Sequence, residues 1–270
     1  MIAFVLACEV CQRAHGGARP RAERGHSYTA DPMTEILFVR CDASETFGVA
    51  PAAVEAAGAT VRVWNALDTD DPRPQLHEID GVVVFGSTFN VEHADEQPFI
   101  KETADLIREA IDRRIPYLGV CFGGQLLAWA LDAQVGEGPI REIGFEPIRP
   151  TADSVHDPLF SHLVDGDMAF QWHRDAFALP EGATLLVAGD QVPHQAFRVG
   201  ELAWGTQFHC EVNRSELEFW LEAFAAEGDL KVDWGKSPEQ VREEASRFIA
   251  EHESRGREVF ERFTNLAAGA

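Results

Sequence analysis

From residue 34 onward the chain alternates short apolar runs with segments of helical period. Thr34 to Arg40 reads as a strand, and residues near 50–57 as a helix. Pro51 fits the first turn of that helix, and Gly58 ends it. A second strand spans 59–64, followed by a loop rich in Asp and Pro. Gly81 to Phe85 is wholly apolar, as a strand buried on both faces should be. Within 96–113, Phe99, Ile100, Ala104, Ile107, Ala110 and Ile111 recur with a helical period. Ile115 to Val120 is another apolar strand, and Leu126 to Leu131 is helical. Strand-helix-strand repetition predicts a parallel sheet wrapped by helices. Such sheets bind ligands at the carboxyl ends of their strands.

After residue 135 the pattern changes. Segments near 143–149, 183–189, 192–199 and 202–208 read as strands with few helices between them, which predicts an antiparallel extension of the sheet. Helices return at Arg214 to Ala226 and at Pro238 to Leu266. The last is amphipathic, with Val241, Ala245, Phe248, Ile249, Val259, Phe260 and Phe263 on one side. It packs on its own domain or docks a partner. The expected organisation is a segment 1–32, a main domain 33–230 and a C-terminal helical extension 231–270.

Residues 1–32 stand apart, with no hydrophobic period and a cluster of Gly, Arg and Pro. They read as a disordered tail or as lying upstream of a true start at Met33. Their apolar beginning lacks a basic leader and ends at Glu9, too short for a signal peptide. Val5 to Cys8 has only a loose likeness to a lipoprotein cleavage site. Cys8 and Cys11 form a CxxC with no second pair to complete a zinc site.

Charge narrows the partners. The 270 residues carry 45 acidic and 23 basic side chains, a formal net of −22, with only three lysines: Lys101, Lys231 and Lys236. Residues 1–32 contribute +1, so 33–270 carry −23. This excludes a basic nucleic-acid footprint and disfavours an anionic membrane surface. A lysine-poor acidic surface suits a salt-rich cytoplasm, where screening suppresses self-repulsion, and predicts a halophilic source. Five cysteines at irregular spacing argue against a disulfide framework. No apolar run approaches the roughly 20 residues of a membrane span. A cytoplasmic protein is expected.

The chemistry centres on Pro116-Tyr117-Leu118-Gly119-Val120-Cys121-Phe122-Gly123-Gly124-Gln125, which passes from a buried strand into a helix. Gly119-x-Cys121-x-Gly123 has the form of a nucleophile elbow built on cysteine. Such a turn holds its central residue strained, and small residues on either side relieve the crowding. The thiol then stands at a helix N-terminus, where the dipole favours thiolate, and the Phe122 amide is placed for an oxyanion. A cysteine nucleophile needs an imidazole and an orienting carboxylate. Two pairs at i and i+2 qualify, His209 with Glu211 and His173 with Asp175, since such residues on an extended segment point the same way. Sequence physics does not choose between them.

Gly119 to Gln125 together with Gly205-Thr206-Gln207-Phe208-His209-Cys210-Glu211 resembles the class I, triad-type glutamine amidotransferases, in particular their stand-alone GMP synthase-like branch. The resemblance spans roughly residues 34–228. It implies a three-layer, flavodoxin-like α/β fold and names Cys121 the nucleophile, His209 the base and Glu211 its orienter. Gly86, in Phe85-Gly86-Ser87-Thr88, then supplies an oxyanion amide beside that of Phe122. Gln125 helps hold the substrate. His173 to Asp175 resembles the family's H-x-D loop, which makes Gln171, Trp172 and His173 substrate-binding candidates and demotes His173 as base. Cys210 stands where the family has proline, implying a looser His209–Glu211 geometry and a second, oxidisable thiol. No synthetase domain follows within the chain.

The implied reaction is hydrolysis of the γ-amide of glutamine through a Cys121 thioester, releasing ammonia to an acceptor such as a synthetase subunit. No metal or cofactor is implied. A γ-glutamyl peptidase acting on γ-glutamyl compounds, or a silent partner subunit of a synthetase, would carry the same residues.

Overall fold

The structure, a computed structural model, describes residues 33–225 and 228–269. The CxxC at Cys8 and Cys11 lies outside them.

Four parallel strands begin the sheet: β1 (Glu35–Arg40), β2 (Thr60–Asn65), β3 (Gly81–Val84) and β4 (Tyr117–Val120). Between them run α1 (Ala50–Ala56) and α2 (Pro98–Asp112), and α3 (Phe122–Ala130) follows β4 directly. The chain then forms β5 (Val135–Pro150), β6 (Asp167–Phe177), β7 (Thr184–Gly189), β8 (Ala196–Val199) and β9 (Ala203–Thr206). Helices α4 (Arg214–Ala225), α5 (Leu230–Trp234) and α6 (Pro238–Ala268) complete it. One nine-stranded sheet results, in the order β2-β1-β3-β4-β9-β8-β7-β5-β6. β9 pairs parallel to β4 and antiparallel to β8, so it joins the parallel half to the antiparallel extension.

Strand alternation explains the apolar runs. Ile36, Phe38, Val83, Phe85, Leu118 and Val120 face one layer, completed by α1 and by Val259, Phe260 and Phe263 of α6. Leu37, Val39, Val82, Val84 and Tyr117 face the other, completed by α2 and α3. Both faces are covered, so both parities must be apolar. A third cluster joins Ile143, Phe145 and Phe170 to α4, α5 and the first half of α6. The last helix thus packs along the domain that carries the sheet. Among the described residues no helix is long and apolar enough to cross a membrane.

The structure differs from the sequence reading at β6, which the H-x-D resemblance presents as a loop. Its buried parity holds Ala169, Gln171, His173, Asp175 and Phe177. Three polar residues on the inward face erase the hydrophobic alternation that marks a strand. β5 likewise extends well before residue 143, because its exposed first half carries no buried stripe. α3 begins at Phe122, four residues earlier than its apolar period suggests, and α5 is an addition.

Candidate active site

Cys121 occupies the bend between β4 and α3 at φ +50°, ψ −104°. That backbone is strained for a residue with a side chain. It is sustained by neighbours that leave no room to relax. A Cβ on Gly119 would come within 2.3 Å of the Gly123 backbone, and one on Gly123 within 2.1 Å of the Val84 carbonyl oxygen. Small residues are therefore a packing requirement at both flanks. The Cys121 N–H donates to Thr206 O at 2.9 Å, tying the elbow to the end of β9. Phe122 opens α3, so its N–H lies in the first helical turn, whose amides have no acceptor within the helix.

β9 ends at Thr206, and residues 207–213 leave it as irregular chain, not the strand end expected for an i, i+2 pair. The two side chains meet nonetheless: His209 Nδ1 lies 2.7 Å from Glu211 Oε1. Burial alone would lower the His209 pKa. The charges of Cys121 and Glu211, with hydrogen bonds to both, outweigh it and hold the imidazolium well above the ordinary histidine value. Trp220 of α4 packs edge-on against the same ring, centroids 5.1 Å apart. Gly86 closes the other side. A Cβ there would stand 2.9 Å from His209 Cε1 and 3.9 Å from Cys121 Cβ. Cys121, His209, Glu211, Gly86 and Phe122 are thus brought together at the carboxyl ends of β3, β4 and β9.

Cys210 does not leave this segment loose. The His209 N–H donates to Phe170 O at 2.9 Å, and the Glu211 carbonyl accepts from the Val49 N–H at 2.8 Å. Between them, the Cys210 carbonyl oxygen presses on Gly256 of α6, where a Cβ would fall 2.0 Å away. The buried His252, one turn earlier, is held neutral by burial, its pKa lowered to about 3. Three neighbouring elements therefore do what proline would do by stiffening the chain. Cys210 is itself buried, and burial followed by the Glu211 charge pushes its thiol well up, so it is a poor nucleophile and not an exposed oxidisable group.

The other pair is occupied differently. His173 Nε2 lies 2.9 Å from Glu142 Oε2, and its Nδ1 faces the Asp175 carbonyl at 3.2 Å. Both ring nitrogens are thus engaged, Nε2 by β5 and Nδ1 within β6 itself. Gln171 donates to Gln195 Oε1 at 3.0 Å, and Gln195 to Glu142 Oε2 at 3.1 Å; among the described residues no donor reaches the buried Gln171 Oε1. Trp172 has the opposite parity on β6 and packs with Trp220, Phe224 and Trp234. Gln125 donates to the Asp175 carbonyl at 2.9 Å and reaches Gln207 Oε1 at 3.5 Å. Gln207 Nε2 stands 3.8 Å from Cys121 Sγ.

Gln207, Glu142 and Gln195 were not singled out from the sequence; Gln207 lies inside the His209 motif, but the other two carry no local signal. Behind Glu211 lie two more buried carboxyls, Glu45 and Glu216. No group of three or more His, Cys, Asp or Glu side chains among the described residues is arranged to hold a metal ion.

Comparison with known proteins gives the family. Residues 47–226 match the family "Glutamine amidotransferase class-I". The glutamine amidotransferase-like protein YfeJ of Salmonella typhimurium is 30% identical over 186 residues, covering 68% of this chain and 78% of YfeJ. A glutamine-hydrolysing GMP synthase of Porphyromonas gingivalis is 32% identical over 155 residues, 57% of this chain but only 28% of that enzyme's length. Among solved structures, a glutamine amidotransferase from Thermotoga maritima superposes with a TM-score of 0.77 at 28% identity, covering 86% of this chain and 98% of that one. One from Methylobacillus flagellatus gives 0.76 at 25% identity, covering 87% and 95%. The strained cysteine elbow and the paired His209 and Glu211 thus sit on the fold these proteins share, and the chain belongs to the class I glutamine amidotransferase family of enzymes.

Proposed function

We propose that the protein hydrolyses the γ-amide of glutamine with Cys121, His209 and Glu211 as its catalytic triad. The observation that carries this reading is the convergence at one sheet edge of a strained cysteine and an imidazole–carboxylate pair 2.7 Å long. The raised His209 pKa favours a thiolate–imidazolium pair at neutral pH.

The Cys121 thiolate attacks the amide carbon. The carbonyl electron pair moves onto oxygen, where the N–H groups of Phe122 and Gly86 stabilise it. His209 gives its proton to the amide nitrogen, the C–N bond breaks, and ammonia leaves. The now neutral His209 takes a proton from water, whose oxygen attacks the thioester. Glutamate departs and the thiolate–imidazolium pair is restored. Glu211 keeps Nδ1 protonated throughout, so that Nε2 is the nitrogen that exchanges protons.

Gln125, with Gln207 beside it, lines the substrate side of the elbow in this reading. Gln171, Trp172 and His173 contribute through the backbone of β6, since their side chains are engaged elsewhere. The ammonia goes to an acceptor, and a separate synthetase subunit is the partner this reading implies. A cytoplasmic, salt-rich setting fits the acidic composition.

The test is glutamate release from L-glutamine and from a γ-glutamyl dipeptide in molar potassium chloride, with Cys121→Ala as control. Glutamine turnover lost in the variant supports the proposal. Turnover of the dipeptide alone would replace it with a γ-glutamyl peptidase. Glutamine turnover that survives in Cys121→Ala would remove the nucleophile assignment.

A further inference from the structure

Three buried carboxyls gather around the segment that carries His209. Glu45, from the loop after β1, is 4% exposed; Glu211 is 0% and Glu216, at the start of α4, 1%. Their donors are too few for three charges. Glu216 Oε1 accepts from the N–H of Thr46 at 3.0 Å and its hydroxyl at 2.6 Å. Glu45 Oε1 accepts from the Phe47 N–H at 2.5 Å. Glu211 Oε1 faces His209. Among the described residues, no donor reaches the buried Glu211 Oε2 or Glu216 Oε2.

Glu216 Oε1 and Glu45 Oε1 accept from the successive N–H groups of Thr46 and Phe47, so one short stretch of loop holds both buried carboxyls. Like charges held this close, out of water and short of donors, cannot both ionise. We propose that Glu45 and Glu216 share one proton, and that Glu45 acts as a neutral hydrogen-bond donor that positions the triad carboxylate Glu211. The proposal rests on the triad reading above.

The groups that face Glu45 are Glu216 from α4, Glu211 and His209 from the segment after β9, and the Cys41 thiol at the end of β1. Only His209 among them carries positive charge. Burial, then Glu216, then Glu211 push the Glu45 carboxyl well above the usual carboxylate range, and burial and Glu211 raise Glu216 as well. The pair titrates as a unit.

The route to Glu211 is short. The loop that carries Glu45 also carries Val49, whose N–H holds the Glu211 carbonyl, and Thr46, which holds Glu216. A shared proton draws this loop onto α4 and keeps Glu211 beneath His209. Loss of that proton sets two charges against each other and loosens both attachments.

Alkylation of Cys121 by iodoacetamide across pH tests this without any assumption about substrate, because it reads the thiolate directly. Glu45→Gln donates the same hydrogen bond and cannot ionise. It is expected to alkylate within about threefold of wild type at neutral pH and to lose the alkaline step that deprotonation of the pair puts into the wild-type profile. Glu45→Ala is expected to alkylate about tenfold more slowly. An Ala variant as reactive as wild type overturns the proposal, and so does a Gln variant as impaired as Ala.

Thermal unfolding of wild type and Glu45→Gln from about pH 5 to 9 keeps the test alive if the Ala variant does not fold. A group with a raised folded pKa stabilises fully below its unfolded value and loses that contribution as pH climbs through the folded one. The wild-type Tm should therefore fall with pH more steeply than that of Glu45→Gln; superimposable profiles overturn the proposal. If wild-type reactivity survives in Cys121→Ala, the triad reading fails, while the unfolding profiles still report on the shared proton.

Discussion

His209 Nδ1 and Glu211 Oε1 lie 2.7 Å apart with both side chains buried, and among the described residues Glu211 Oε1 has no other hydrogen-bond partner that would draw it away. The carboxylate fixes the ring orientation and the tautomer. Glu211→Gln keeps the shape and removes the charge. Turnover should fall by about 10²-fold or more, with a smaller change in KM, and steady-state kinetics on glutamine measures both.

The same pair sets a pH dependence. His209 has a folded pKa raised above its ordinary 6.5. Its contribution to stability is complete below that unfolded value and is lost as pH rises through the raised one. Thermal unfolding should show a decline on the alkaline side, reduced in Glu211→Gln. A flat wild-type profile there would contradict the sign.

Gly86 leaves no room for a methyl group beside the imidazole, since its Cβ would fall 2.9 Å from His209 Cε1. Gly86→Ala should displace the ring relative to Cys121 and cut kcat by about 10²-fold, the scale of one lost oxyanion donor. The fold should survive, because the new methyl group would meet only His209 and Cys121 at close range. Kinetics alongside circular dichroism separates the two effects.

Gly256 lies mid-way along α6, where alanine would ordinarily favour the helix. Here its Cβ would fall 2.0 Å from the Cys210 carbonyl oxygen. Gly256→Ala should therefore destabilise by about 1–3 kcal/mol, the scale of overpacking, and lower turnover by shifting His209. A more stable, fully active variant would show that α6 does not brace the segment.

With 45 acidic against 23 basic residues, self-repulsion is large in dilute buffer. Raising potassium chloride from about 0.1 M to molar concentrations shortens the Debye length from about 10 to about 3 Å. The Tm should rise over that range, and a Tm that falls or stays constant would reject a surface adapted to salt.

The parallel half of the sheet follows from local pattern alone, since strands covered on both faces must be apolar at both parities, as Val82 to Val84 are. The elbow does too, because Gly119 and Gly123 are required locally by the bend at Cys121. Between the two candidate histidines the local pattern was neutral. Spacing at i and i+2 is identical in both pairs, and a family resemblance was needed to prefer His209.

Which imidazole is left for the thiol is a long-range matter, since Glu142 engages His173 from another strand 31 residues away in sequence. β6 escaped detection for a related reason. Its inward face packs polar side chains whose partners, Glu142, Gln195 and Gln125, come from distant elements, so no apolar period marks it. The bracing of Cys210 by α6 and the convergence of Glu45, Glu211 and Glu216 are likewise long-range. Hydrophobic periodicity reports which face of an element is buried, but not which residue from elsewhere in the chain is buried against it.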